Sequence, residues 1–371
     1  MQKQNILIIG GGIGGLTSAI ALGRAGHTVT IVEKDPDWAV YGVGIIQQSN
    51  VVRAMTELGL IDDYLEAGFG FDPVEVYVPS GEMVARIPSP RLVENRPANV
   101  GIARPALHEV LGRRAQEAGA TIRLGVTVDS LDDDGDAVTT HFSDATSGRF
   151  DLVIGADGLY SSTRKQLFAG APEPTYTGQA VWRYNFPRFP DVNCLQAYEG
   201  EIGVGLVPLA DNLMYMFVTT PEPGNPWYPT AGLAAAMRAK LARSAPRIAE
   251  LAAQITDDTA VVYKPLETVF VEGAWHKGRV VLIGDAVHST TPHLGQGAGM
   301  AIEDAIVLAD EITRHETPDE AFTAFQERRY ARCKYIVEAS LAICRGQLGL
   351  GPIVEQATAT REMIERVAEP I

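Results

Sequence analysis

The sequence is poor in several things, and each shortage excludes a class of function. It has no run of about 18 apolar residues, the length a membrane-crossing helix needs. No basic leader is expected, because the sequence goes straight into "NILIIGGG". Basic residues are in deficit, 31 Lys and Arg against 46 Asp and Glu for a net charge of −15. That deficit argues against nucleic acid, an anionic membrane or an acidic polymer as partner. A small anionic substrate stays open, since one buried Arg can set a local field. Cysteine is scarce: Cys194, Cys333 and Cys344 show neither metal-type spacing nor a paired framework. They read as reduced and buried, which suits a cytoplasmic protein. No His/Cys/Asp cluster has metal spacing, and none of the 371 residues falls in a repeat or low-complexity tract.

What is present is ordinary soluble-enzyme composition, 46% hydrophobic and 21% charged, in a chain long enough for about two domains. The first thirty-odd residues read as strand, tight turn, helix, strand. "RPALHEVLGRRAQEAGA" is an amphipathic helix, and "TIRLGVTVDSL" and "AVTTHFS" flank an acidic hairpin turn, Asp132–Asp136. Between about Pro172 and Val271 aromatic residues alternate with polar ones, the period of a sheet. Helical pattern returns after Gly284 and continues from Pro318 to Arg345. The expected architecture is α/β: a discontinuous dinucleotide-binding domain (1–171 and 272–316), an inserted antiparallel-sheet domain (172–271) and a C-terminal helical region (317–371).

Three stretches carry chemistry. Gly10, Gly12 and Gly15 fit G-x-G-x-x-G between a strand and a helix, and Glu33 ends the next strand, 18 residues beyond Gly15. Gly10 permits the tight turn, Gly12 lets backbone approach a pyrophosphate, and Gly15 lets helix and strand pack closely. The helix N-terminus offers N–H groups and partial positive charge to phosphates, and Glu33 would accept from an adenosine ribose. This motif alone does not separate FAD from NAD. "DLVIGADGLYSSTR" places Asp157 at the C-terminal edge of a strand, where doubly wound sheets bind ligands. "GDAVHSTTPHLGQGAG" follows the short apolar run "VVLIG" and leads into a helix.

Together, Gly10–Gly15 with Glu33, Asp157-Gly158 with Ser161 and Arg164, and Gly284-Asp285 with Pro292 and Gly295-Gln296-Gly297 resemble the three fingerprints of the class A flavoprotein monooxygenases. These are the FAD-dependent aromatic hydroxylases of the p-hydroxybenzoate and salicylate hydroxylase type, and the resemblance covers almost the whole chain. It implies a Rossmann-type, glutathione-reductase-like domain for tightly bound, non-covalent FAD, with an inserted substrate-binding sheet and a long C-terminal helix. It implies that Asp285 bonds a ribityl hydroxyl and that the turn from Pro292 through Gly295, Gly297 and Ala298 aims N–H groups at the flavin's pyrimidine edge. There, oriented dipoles stabilise the charge of the reduced ring. Arg104 would reach the ribityl and pyrophosphate region, Gly44 would lie beside the isoalloxazine, the backbone of Val128 would touch adenine, and Asp157 would serve both the pyrophosphate and the nicotinamide. Gly14 and Lys34 complete the cofactor set by the same resemblance. NADH or NADPH would act as a transient co-substrate, since only one dinucleotide motif exists. Oxygen transfer to a small aromatic substrate would proceed through a flavin C4a-hydroperoxide formed from O2.

Substrate contacts are expected from the inserted sheet. Arg183 in "VWRYN" faces the same way as Val181 and Asn185 and opposite to Trp182 and Tyr184; Tyr215 shares a face with Phe217. Arg183 could bind a carboxylate or ionised hydroxyl, and Tyr215 a ring substituent; the alternatives are a solvated strand residue for Arg183 and sheet packing for Tyr215. His293 lies in the flavin turn and is a candidate for substrate contact or loop capping. His288 reads as structural, and His27, His108, His141, His276 and His315 carry no signal. A halogenase of related fold should show a Trp-x-Trp pair, but Trp38, Trp182, Trp227 and Trp275 are never two apart. A lipid reductase of the same architecture and a non-catalytic flavoprotein-fold binding module are the remaining alternatives. The expected assembly is a monomer or homodimer.

Overall fold

The structure is a computed structural model describing residues 1–200 and 202–371. Its first strand, Asn5–Ile9, is a continuous apolar run, and Ile6, Leu7, Ile8 and Ile9 are all buried. Such a run suits the middle of a parallel sheet covered on both faces. Burial of each of these side chains contributes roughly 1.5–3 kcal/mol relative to exposure. The strand sits between Leu152–Gly155 and Thr28–Glu33, parallel to both. The complete six-stranded sheet runs His276–Lys277, Val280–Leu282, Leu152–Gly155, Asn5–Ile9, Thr28–Glu33, Thr121–Leu124. Only the terminal pair is antiparallel. The three strands that precede the glycine-rich stretches therefore lie side by side and end at the same edge.

A second, seven-stranded sheet runs Val262–Thr268, Thr175–Pro187, Leu213–Pro221, Gly203–Pro208, Leu195–Tyr198, Val74–Tyr77, Met83–Ile87. The last two strands come from outside 172–271, so this sheet is not assembled from that stretch alone. Hairpin-linked neighbours are antiparallel; the junction between Leu195–Tyr198 and Val74–Tyr77, which no hairpin constrains, is parallel. Strict alternation sorts the long central strand. Trp182 and Phe186 join Met214, Met216, Met237 and Ile248 in a core under the helices Leu233–Leu241 and Pro246–Ala252. Val181 and Arg183, with Tyr215 and Phe217 on the neighbouring strand, face the other way, as the period-two pattern requires.

The helix Gly297–Arg314 packs on the helix Ile13–Arg24 beneath the first sheet. Next comes Pro318–Gln347, 30 residues long, started by a capping box in which Thr317 and Glu320 satisfy each other's backbone N–H groups. It lies along Gly297–Arg314 and also touches the turn Pro292–Leu294. All three cysteines are buried and unpaired. Among the described residues, no helix is long and apolar enough to cross a membrane.

Candidate active site

Between the two sheets lies a cavity of about 540 Å³, within the range of sites for small molecules and cofactors. One wall is backbone. Gly12 and Gly14 stand at the start of the helix Ile13–Arg24, and nothing occupies the space a Gly12 side chain would fill. Gly10 has φ +110°, and a Cβ there would collide with the carbonyl of Ala156 on the adjacent strand. A Cβ on Gly15 would collide with the carbonyl of Gly10 and sit 3.2 Å from Ile8. The tight turn and the close packing expected of these glycines are therefore both present. On the facing side of the cradle, Gly284 (φ +59°) and Gly295 (φ +66°) adopt left-handed backbone, and Gly297 and Ala298 open the next helix. Asp285 projects into the cavity. It is open to the cavity's interior yet walled by protein, so burial raises its carboxyl above the usual carboxylate range despite nearby His288 and Arg104.

The other wall is side chains. Arg183 and Tyr215 line it with Val181 and Phe217. Tyr215 lies against Gly44, where any Cβ would enter its ring. This gives Gly44 a specific reason to be glycine. Burial raises the Tyr215 phenol to about 12, although Arg183 and Arg104 pull the other way. Burial, reinforced by the charge of Arg104, lowers the Arg183 guanidinium to about 10. Arg104 is likewise depressed by burial. Neither arginine forms an ion pair with any described residue. Asp285 is near enough to act on Arg104, but no carboxylate among the described residues pairs with Arg183, and its two-cation neighbourhood creates a site for an anion.

The sequence-derived candidates divide cleanly. Gly12, Gly14, Gly44, Arg104, Arg183, Tyr215, Asp285, Pro292, Gly295, Gly297 and Ala298 all line the one cavity. Gly10 and Gly15 shape it from behind. Glu33 lies beside the glycine turn, accepting from the N–H groups of Gly11 at 2.8 Å and Asp35 at 2.9 Å. Lys34 is exposed, and Val128 is buried at the start of a strand. Asp157 is behind the wall, capping the helix Ser162–Leu167 by accepting from Thr163 N–H at 3.0 Å and from the hydroxyls of Ser161, Ser162 and Thr163. His293 does not line the cavity. Its Nε2–H donates to Gln347 Oε1 at 3.1 Å, and Nδ1 accepts from the Thr291 hydroxyl at 2.9 Å. Burial lowers its pKa to about 4, so it is neutral at ordinary pH.

Sequence reasoning missed three features. His108 lines the cavity and contacts the Gly11 carbonyl at 3.1 Å. Its i, i+4 relation to Arg104 was an available signal. Lys264 lies 4.4 Å from the ring centre of Tyr41 at the mouth, a cation–π contact between sheet and loop. Finally, His288, Asp304 and Cys333 form a buried metal-type donor set. Arg329 already donates to Asp304 at 2.8 Å and to Cys333 at 3.6 Å, so a cation's place is taken by a guanidinium.

This geometry fits FAD: a glycine cradle at a helix N-terminus, an acid for the ribityl chain and an unpaired arginine beside it. Comparison with known proteins agrees. The profile of the FAD binding domain family matches residues 3–340. The chain is 32% identical over 355 residues to 2-heptyl-3-hydroxy-4(1H)-quinolone synthase of Pseudomonas aeruginosa, covering 93% of this chain and 90% of that protein. It is 31% identical over 360 residues to 6-hydroxynicotinate 3-monooxygenase of Bordetella bronchiseptica, covering 91% of each. Klebsiella pneumoniae HpxO, solved with FAD and uric acid, superposes with a TM-score of 0.83 at 26% identity, over 99% of this chain and 93% of that one. With its family profile, its relatives and its cradle in agreement, the chain belongs to the class A flavoprotein monooxygenases and is an FAD-dependent oxidoreductase.

Proposed function

We propose that the protein hydroxylates a small, electron-rich aromatic or hydroxylated N-heteroaromatic substrate bearing an anionic group, with NADH or NADPH as reductant and O2 as oxidant. The observation that carries the reading is Arg183: inward on the second sheet, opposite the glycine cradle, beside Arg104 and without an ion-pair partner among the described residues. When bound, FAD supplies acceptance of reducing equivalents from a nicotinamide and delivery of one atom of O2 to the ring. The chain's residues do the rest. Gly12, Gly14 and the Gly295–Ala298 backbone would hold the cofactor's phosphates and pyrimidine edge, and Asp285 would accept from its ribityl chain. Arg183 pairs the substrate anion in a two-donor fork. Tyr215, protonated at neutral pH, donates to a ring substituent. Val181, Ile46, Phe217 and Leu266 exclude water from the reacting face. His293, neutral and held by Thr291 and Gln347, braces the flavin turn. One relative's synthesis of a hydroxylated quinolone and another's activity on a hydroxynicotinate support the ring class.

The test is a panel of hydroxybenzoates, hydroxylated N-heteroaromatics and neutral phenols, assayed for stimulation of NAD(P)H oxidation and for product mass increased by one oxygen. Anionic rings should stimulate and be hydroxylated. Stimulation by neutral phenols alone, or H2O2 as the only product with every ring, contradicts the reading.

A further inference from the structure

The long helix Pro318–Gln347, which a last helix Gln356–Ala368 follows, lines none of the cavity, yet it sends one fully buried arginine toward it. Arg329 donates from Nη1 to Glu303 Oε2 at 2.7 Å and from Nε to Asp304 Oδ1 at 2.8 Å, bridging two consecutive carboxylates of the helix Gly297–Arg314. From each carboxylate an arm runs back to the site. Asp304 Oδ2 accepts from the N–H of Gly284 at 2.9 Å and from the ring N–H of His288 at 2.6 Å. It thereby grips both ends of the turn that aims Asp285. Glu303 Oε1 accepts from Asn50 Nδ2 at 3.0 Å, and Asn50 exchanges hydrogen bonds with Gln296 at 3.0 and 3.2 Å. Gln296 in turn donates to Gln48, whose Nε2 donates to the Leu294 carbonyl at 3.0 Å. The second arm thus ends in the turn that carries Gly295 and Gly297. His288, Asn50, Gln296, Glu303, Asp304 and Arg329 are all buried.

Stability alone does not explain such a network. Buried ion clusters replaced by apolar side chains of similar volume are often neutral or more stable, and their best-attested use is to fix one arrangement among alternatives. Here the arrangement is specific. Both arms terminate on segments that contribute cavity residues, and both segments contain glycines in left-handed backbone that have no side chain of their own to anchor them. We infer that Arg329 is a positioning residue for the flavin site, locking the Gly284–Asp285 turn and the Leu294–Gln296 turn into one cradle through Asp304 and Glu303. The long helix Pro318–Gln347 is therefore part of the cofactor site's construction.

A double-mutant cycle on the full-length protein tests this, with Gln48→Ala perturbing one arm and Asp304→Asn the other. FAD affinity is read by fluorescence titration, and the shape of the bound flavin's visible band is recorded as a second signature. Gln48→Ala, the loss of one or two neutral hydrogen bonds, should weaken FAD binding about three- to tenfold, and Asp304→Asn, which removes charge-assisted bonds, about ten- to a hundredfold. If Arg329 makes the arms one unit, the double variant is no weaker than the worse single one, and all three share the same altered band. Arg329→Lys should show that band too, since a point charge cannot bridge both carboxylates. Phe325→Leu, a packing loss at a fully buried position of the same helix, should lower the unfolding temperature with FAD affinity and band unchanged. Should Asp304→Asn not accumulate as folded protein, His288→Gln replaces it in the cycle. Affinity losses that multiply in the double variant, or Phe325→Leu weakening FAD as much as the network variants, would overturn the proposal.

Discussion

The wall contributed by the six-stranded sheet is made of backbone: Gly12, Gly14, Gly295 and Gly297, with Asp285 the main side chain among them. The wall contributed by the seven-stranded sheet is made of side chains: Val181, Arg183, Tyr215 and Phe217. A backbone wall offers fixed hydrogen-bonding positions that suit a diphosphate and a ring edge. A side-chain wall can be changed one residue at a time without disturbing the strands behind it. Cofactor and substrate recognition are thereby separated, and the two walls should respond differently to substitution.

The backbone wall should be the more fragile. Gly15→Ala drives a methyl group into the Gly10 carbonyl, an atom that cannot swing aside. Overpacking costs roughly 1–3 kcal/mol, so FAD affinity should fall by on the order of a hundredfold at the upper end; a yellow Gly15→Ala protein with normal affinity breaks the comparison. Asp285→Ala removes a charged acceptor. The expected loss in FAD affinity is about ten- to a hundredfold, from the roughly 1.5–3 kcal/mol of a charge-assisted hydrogen bond. Gly44→Ala joins the two walls, because its methyl group displaces the Tyr215 ring. It should raise substrate KM about tenfold for a cost near the lower end of overpacking, with FAD affinity changed far less; equal losses in both would erase the distinction. The smallest effect concerns His293. Its folded pKa, lowered by burial to about 4, lies below the unfolded value near 6.5. Between the two, the unfolded chain binds the extra proton, so the stability this group contributes is lost as pH falls. Unfolding temperature should decline more steeply from pH 6.5 to 4 in the wild type than in His293→Gln, and parallel curves would remove His293 from the account.

The same contrast explains what the sequence made legible. Backbone sites need glycines at fixed spacing, and that spacing survives in one dimension: Gly10 to Gly15 and Gly284 to Gly297 were both readable. Arg183 and Tyr215 could be assigned to one face by alternation, because a strand's period is local. What alternation cannot supply is the partner. Nothing near Val74–Tyr77 announces that it pairs in parallel with Leu195–Tyr198, over a hundred residues away. Nothing near Arg329 announces that its fork closes on Glu303 and Asp304. Tyr41 meeting Lys264 is likewise a meeting of two segments without local signature. Asp157 shows the converse. Its place after a strand and among glycines suggested a ligand contact; that its oxygens also accept from Ser161 and Thr163 at the start of the next helix had no local signature.

The central claim, that an unpaired arginine on the side-chain wall selects an anionic ring, is tested most directly by comparing kcat/KM for a hydroxybenzoate with that for the phenol lacking its carboxylate, in wild type and in Arg183→Ala. Product is measured separately from H2O2. A buried charge-assisted pair truncated on one side loses roughly 2–4 kcal/mol. The preference for the carboxylated ring should therefore fall by a factor of about thirty or more in the variant, with FAD content unchanged and only partial recovery in Arg183→Lys. A preference that stays within about twofold of wild type, as surface substitutions of no more than ~0.5 kcal/mol allow, would contradict it.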